Sequence, residues 1–110
     1  MTTPGTPGLS PSQHDLLLVL AARYVWWKTP QEAMRYPQRV IAQVMNIGTQ
    51  DDANLLTRAL SDETLQEVLQ AAEGGQFTEQ AWQYWHYRLR LAHIPADVPP
   101  LPKRFIPPGD

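Results

Sequence analysis

Apolar residues recur along the chain at the three-to-four spacing of amphipathic helices, and the polar residues between them fall where helix caps belong. Leu16, Leu17, Leu20, Tyr24 and Trp27 keep that spacing behind Ser10, Pro11 and Gln13. These supply a cap, a first-turn proline and the returning side chain of a capping box. The pattern predicts a helix from about Ser10 to Trp27, and Leu18, Val19 and Val25 widen its apolar surface so that it is central or meets a partner. Thr29, Pro30 and Glu32 repeat the device, but Pro37 disfavours helical geometry at Tyr36, so this piece is expected to be one short turn. A further helix then carries Val40, Ile41, Val44 and Met45 up to a stop at Gly48. Thr49 caps a helix over Gln50 to Leu60, with Asp51 and Asp52 in the first turn where carboxylates favour the helix dipole. Ser61 caps another, with Leu65, Val68, Leu69 and Ala72 on one stripe and Gly74-Gly75 as its end, and these two helices are expected to form a tight pair. Thr78 caps a last helix to about Ala92, aromatic on more than one face: Trp82, Trp85 and Leu89 on one side, Tyr84, Tyr87 and Leu91 towards another.

These elements define the expected fold: all-α, a compact bundle of about five short helices, with no run of alternating β-formers long enough for a sheet. Residues 1–9 mix Pro and Gly too densely for a helix or strand and read as a flexible lead; residues 10–94 read as a single helical domain. Residues 95–110 contain Pro95, Pro99, Pro100, Pro102, Pro107 and Pro108 and predict an extended, polyproline-like tail that lays Leu101 or Phe105 on the domain. At 110 residues, 43% hydrophobic and 18% charged, the chain has the apolar material for one core and does not read as disordered. Cysteine is absent, which removes disulfides, thiolate metal sites and thiol nucleophiles. The opening residues show no secretion signal, and the longest apolar run, Leu16 to Ala22, is far below the roughly 20 residues that cross a bilayer. A cytoplasmic protein with no membrane partner is therefore expected.

The residue types that could carry chemistry read as structural. The glycines make neither a dinucleotide fingerprint nor a phosphate loop. His14, His86 and His93 lack the acidic partners of a zinc site, and Ser10, Ser12 and Ser61 are at or near helix caps. The acid pairs Asp51 with Asp52 and Glu63 with Glu67 read as solvated residues on polar faces. No catalytic, cofactor or metal residue is expected, and the chain reads as non-enzymatic. Trp26 and Trp27 are adjacent, so one helix cannot turn both inward, which favours an interface. Trp26, Trp27, Trp82, Trp85 and Tyr87 are the candidate partner-binding residues of an interaction module, expected to act as a homodimer.

Charge refines the choice of partner. The net charge is −2, yet Asp51 to Glu73 carries six acids against Arg58 alone, whereas Arg23 to Arg39 carries four bases against Glu32 alone. A dimeric DNA-binding regulator is the alternative reading, with Arg35, Arg39, Arg88, Arg90, Lys103 and Arg104 as candidate nucleic-acid contacts. The run Tyr84 to Arg90 interleaves aromatics and bases, as stacking platforms do, but reads better as a core or interface face, with Trp82, Trp85 and Leu89 turned inward and Arg88 and Arg90 laying their stems over the aromatics. A pI of about 5.8 and the lack of a helix-turn-helix glycine between Thr49 and Ala72 weigh against DNA. Pro99 to Arg104 formally matches a PxxPxR ligand for SH3-type grooves.

Trp26-Trp27, Pro30, Glu32-Ala33, Ile41 to Met45, Gly48-Thr49 and Asp52 form one cluster of motifs. Trp82, Tyr84 to Leu89 and Pro99 to Pro102 with Arg104 form a second. Together they resemble small bacterial proteins often encoded beside nucleotidyltransferase toxins of the abortive-infection class, over residues 24 to 105. The resemblance implies an antitoxin-like or accessory partner of such a toxin, with regulation of its own operon as a further role, and it supplies no catalytic residues.

Overall fold

The computed structural model describes residues 9–102. Among these, six α-helices and one 3-10 turn are formed and no strand. They are α1 (Pro11–Tyr24), α2 (Pro30–Ala33), α3 (Pro37–Ile47), α4 (Gln50–Ala59), α5 (Asp62–Gln70) and α6 (Glu79–Arg88), followed by the turn at Pro95–Asp97. Cap chemistry sets most of the starts. Ser10, Thr29, Thr49, Ser61 and Thr78 each accept, through the side-chain oxygen, the amide hydrogen of the residue three further on. Ser10 with Gln13 and Thr29 with Glu32 close reciprocal capping boxes, as the sequence predicts.

α3 is the centre of the molecule, and every other α-helix packs against it. It meets neighbours on several sides, so its buried residues, Val40, Ile41, Ala42, Val44 and Met45, exceed a single stripe. Leu17 and Leu20 of α1, Leu56 of α4, Leu65 and Leu69 of α5 and Trp85 of α6 close around it at 0–1% exposure. Each such aliphatic side chain contributes roughly 1.5–3 kcal/mol by leaving water. Gly48 does stop α3, but not through a left-handed conformation, since its φ is −67°. A Cβ at this position would collide with the Val44 carbonyl oxygen and approach Val44 Cγ1 at 3.0 Å.

Several boundaries differ from expectation. α1 ends at Tyr24 instead of Trp27: Val25 leaves helical geometry, buries its side chain, and closes a turn with the Lys28 amide at 3.2 Å. Pro30 holds Thr29 extended, so the chain must already be turning before it. α4 and α5 do not form a tight pair; each leans on α3, because Leu60 between them is extended and buried and turns both apolar stripes to the same central helix. α5 ends at Gln70, short of Gly74-Gly75.

α6 ends at Arg88 instead of Ala92. Arg90 takes a left-handed φ of 62°, its amide bonds to the Tyr87 carbonyl at 3.1 Å, and the Leu91 amide reaches back to the His86 carbonyl at 2.9 Å. This is a standard helix stop, normally built on glycine and here built on arginine. It folds Leu89 and Ala92 inward, each at 2% exposure. The segment expected to be extended from residue 95 begins with the 3-10 turn, whose Asp97 carboxylate accepts the His93 and Ile94 amides. Val98 and Leu101 then pack against the core. The lead up to residue 8 and Lys103, Arg104, Phe105, Pro107 and Pro108 lie outside the described residues.

Candidate interaction surface

Because α1 stops at Tyr24, the two adjacent tryptophans stand in the turn before α2 and neither is drawn into the core. Trp26 is 77% exposed and Trp27 55%, with their rings edge to face at 5.5 Å. Beside Trp27 opens a cleft of about 360 Å³. Val25, Ala33 and Val40 give it an apolar lining, Trp27 and Tyr36 contribute aromatic rings, and Lys28, Arg39, Gln43, Glu73 and Gln76 supply its polar groups. A second hollow, of about 250 Å³, shares Tyr36, Arg39, Glu73 and Gln76 with the first and continues to Val68 and Ala71. The Arg39–Glu73 ion pair, at 3.3 Å, lines both hollows. Both partners are more than half exposed, a setting in which ion pairs contribute about 0–1 kcal/mol. The Arg39 guanidinium lies over the Tyr36 ring, 4.8 Å from its centroid. Arg35, exposed in the turn between α2 and α3, and Lys28 form no ion pair among the described residues.

The other two tryptophans, expected on a core-facing side of their helix with Leu89 and also at or behind a contact surface, belong to the core. Trp82 is 5% and Trp85 1% exposed. Their indole N–H groups donate to the Pro99 carbonyl at 2.9 Å and the Met45 carbonyl at 2.7 Å. A buried indole needs such a partner, and these two bonds tie α6 to the residues after it and to α3. Tyr87 is 39% exposed and does not line the Trp27 cleft. His86 is buried against Trp82, and its Nδ1 lies 2.7 Å from the Trp82 carbonyl, so this nitrogen carries the hydrogen.

The candidate cations also separate. Arg88 donates to the Tyr84 hydroxyl at 2.7 Å, Asn54 Oδ1 at 2.9 Å and Thr57 Oγ1 at 3.1 Å, and lies over the Trp85 ring. It joins α6 to α4 and is committed internally. Arg90 is exposed in the left-handed turn after α6, whereas Arg35 lies between α2 and α3 and Arg39 in the first turn of α3. Lys103 and Arg104 lie outside the described residues.

One charged group overturns its reading as a solvated acid. Asp52 is only 3% exposed. Its Oδ2 accepts the Tyr24 hydroxyl in a short hydrogen bond, and both oxygens accept from Arg23 NH1 at 2.7 Å. The Tyr24 oxygen in turn accepts the Thr49 amide at 3.1 Å, so the cluster ties the end of α1 to the start of α4. The Tyr24 hydroxyl, and then Arg23, hold the Asp52 carboxyl below the usual carboxylate range despite burial. Hydrogen bonding to Asp52 holds the Arg23 guanidinium above its ordinary value. On the surface, the Thr29 amide and hydroxyl lower the Glu32 carboxyl in the same way. Helix phase carried a signal for Asp52: it precedes buried Leu56 by four residues, whereas Asp51 precedes exposed Leu55.

Among the described residues, no group of three or more His, Asp or Glu side chains could hold a metal ion, and no helix is long and apolar enough to cross a membrane. Every buried side-chain nitrogen or oxygen among them has a partner. No protein-family model, curated protein or solved structure matches the chain.

Proposed function

We propose that the chain is a non-enzymatic protein-interaction module that binds through the face bearing Trp26, Trp27 and Tyr36, with a second copy of itself as the first partner to test. The observation that carries this reading is the division among the tryptophans: two are sealed in the core and hydrogen-bonded, while the adjacent pair stands 77% and 55% exposed beside a cleft of mixed apolar and polar lining. Tryptophan and tyrosine dominate binding hot spots because they bury large areas at low entropic cost. The resemblance to proteins encoded beside abortive-infection nucleotidyltransferase toxins extends the proposal to an antitoxin-like or accessory role.

Light scattering coupled to size exclusion, run over a concentration series on the wild type and on the Trp26→Ala/Trp27→Ala double variant, tests the reading. A dimer that dissociates in the double variant, with circular dichroism unchanged, is the expected result. If self-association persists in the variant, this face is not the dimer contact. If the wild type is monomeric, the homodimer is abandoned, and a toxin of the resembled class becomes the partner to test on the same two proteins. Duplex DNA is the second reading, supported by Lys28, which lines the cleft, and by the exposed Arg35 that follows α2. Association that weakens steeply with salt and with Arg35→Gln would establish it.

A further inference from the structure

We propose that the cleft beside Trp27 is a receptor for an acidic segment of a partner protein, taking one bulky apolar side chain between Trp27 and Tyr36 and a neighbouring carboxylate on Arg39. The inference rests on the reading of this face as an interaction surface and specifies the chemistry that the face selects.

The cleft has the volume of a side-chain or small-ligand pocket, about 360 Å³; Val25, Ala33 and Val40 are already packed at 8%, 5% and 1% exposure, so the apolar surface open to a ligand is that of Trp27 and Tyr36, 55% and 54% exposed. An apolar side chain entering between Trp27 and Tyr36 gains contact without rearranging the core. The partner residues flanking that side chain must suit the surrounding charge. Lys28 and Arg39 line the cleft with Glu73, and the neighbouring Arg35 is offset by Glu32, whose carboxyl is held low by its Thr29 bonds with help from Arg35 and Lys28, so the surround keeps a net charge of +1. A segment carrying carboxylates is complementary to that surround; a basic one is repelled.

Arg39 is the residue best prepared for a carboxylate. Stacking over Tyr36 restricts the guanidinium before any ligand arrives, which reduces the ordering cost of binding. Of its N–H donors, one contacts Glu73, at the long distance of 3.3 Å, and the others make no side-chain bond among the described residues. A partner carboxylate can therefore form the two-pronged arrangement that suits a guanidinium. Glu73 occupies the site as a weak internal surrogate, and a partner carboxylate replaces it. Removing Glu73 should then strengthen binding, an effect that a cleft of purely apolar character would not show.

The probe is a short fluorescein-labelled peptide alternating glutamate with leucine, with a second in which glutamine replaces glutamate, titrated into the full chain by fluorescence anisotropy. The acidic peptide is expected to bind the wild type about ten-fold more tightly than its glutamine counterpart, and Arg39→Gln to abolish that preference. Glu73→Gln should tighten acidic-peptide binding roughly two- to five-fold. Both substituted residues are exposed, so the variants keep the fold, and thermal unfolding checks that they do. Equal affinity for the two peptides, an unaltered preference in Arg39→Gln, or weaker binding in Glu73→Gln would each overturn the proposal. So would a duplex oligonucleotide retained by the wild type and lost with Arg39→Gln while the peptide fails to bind. If the peptide fails but self-association is still lost in the tryptophan double variant, the inference falls and the interaction module stands. If the peptide binds and the double variant still self-associates, the cleft proposal stands without the dimer.

Discussion

Replacing Asp52 with Asn tests the clamp between α1 and α4. The carboxylate is sealed at 3% exposure and accepts from the Tyr24 hydroxyl and from Arg23. A hydrogen bond to a charged group contributes about 1.5–3 kcal/mol. The Arg23 side chain is 54% exposed and regains water when released, so the weakening of the buried Tyr24 bond to a neutral acceptor dominates the loss. A destabilisation of about 2 kcal/mol follows, or roughly 10 °C in Tm for a domain of this size. Asparagine keeps an acceptor oxygen for the Tyr24 hydroxyl, so Asp52→Asn removes the charge assistance of that bond, whereas Tyr24→Phe removes the bond itself and also strips the Thr49 amide of its acceptor. The double variant should therefore fall short of the sum of the single losses by at least about 1 kcal/mol. Urea unfolding followed by tryptophan fluorescence measures all three variants. The pH dependence supplies an independent arm. The folded carboxyl ionises below its unfolded value of about 3.9, so its contribution is complete above that value and disappears as the pH falls through the lower folded value. The gap between wild type and Asp52→Asn should close in that acid range. A loss under about 0.5 kcal/mol at neutral pH, or strict additivity with Tyr24→Phe, would refute the assignment of the cluster as a stabilising clamp.

Three further outcomes concern single positions. Arg90→Gly should raise stability by about 0.5–1 kcal/mol, because glycine accepts the left-handed φ of 62° without a Cβ penalty, and chemical denaturation detects the gain. Gly48→Ala should cost about 1–3 kcal/mol, since its Cβ meets the Val44 carbonyl; a neutral change in thermal unfolding would contradict the steric account. Trp85→Phe should cost about 2–4 kcal/mol from the lost packing and the orphaned Met45 carbonyl, while leaving self-association of the folded fraction unchanged, which separates it from the Trp26 and Trp27 variants.

The chain determined locally its helical content and nearly every helix start. Cap, first-turn proline and returning side chain lie within four residues of one another, so Ser10, Thr29, Thr49, Ser61 and Thr78 could be read without knowing what the helices pack against. The centrality of α3 and the helix ends were decided by tertiary structure. α1 gives up its last turn because Val25 enters the core, and α6 stops early because a left-handed Arg90 lets Leu89 and Ala92 fold inward. The sorting of the tryptophans has the same origin. All four have the same intrinsic preference for burial, and Trp82 and Trp85 are internal because the Pro99 and Met45 carbonyls are there to receive their N–H groups. Asp52 and Arg39 are the clearest cases. Each carries a charge whose role depends on residues at least 28 positions away, Tyr24 for the one and Glu73 for the other, and only the folded chain brings those partners into range.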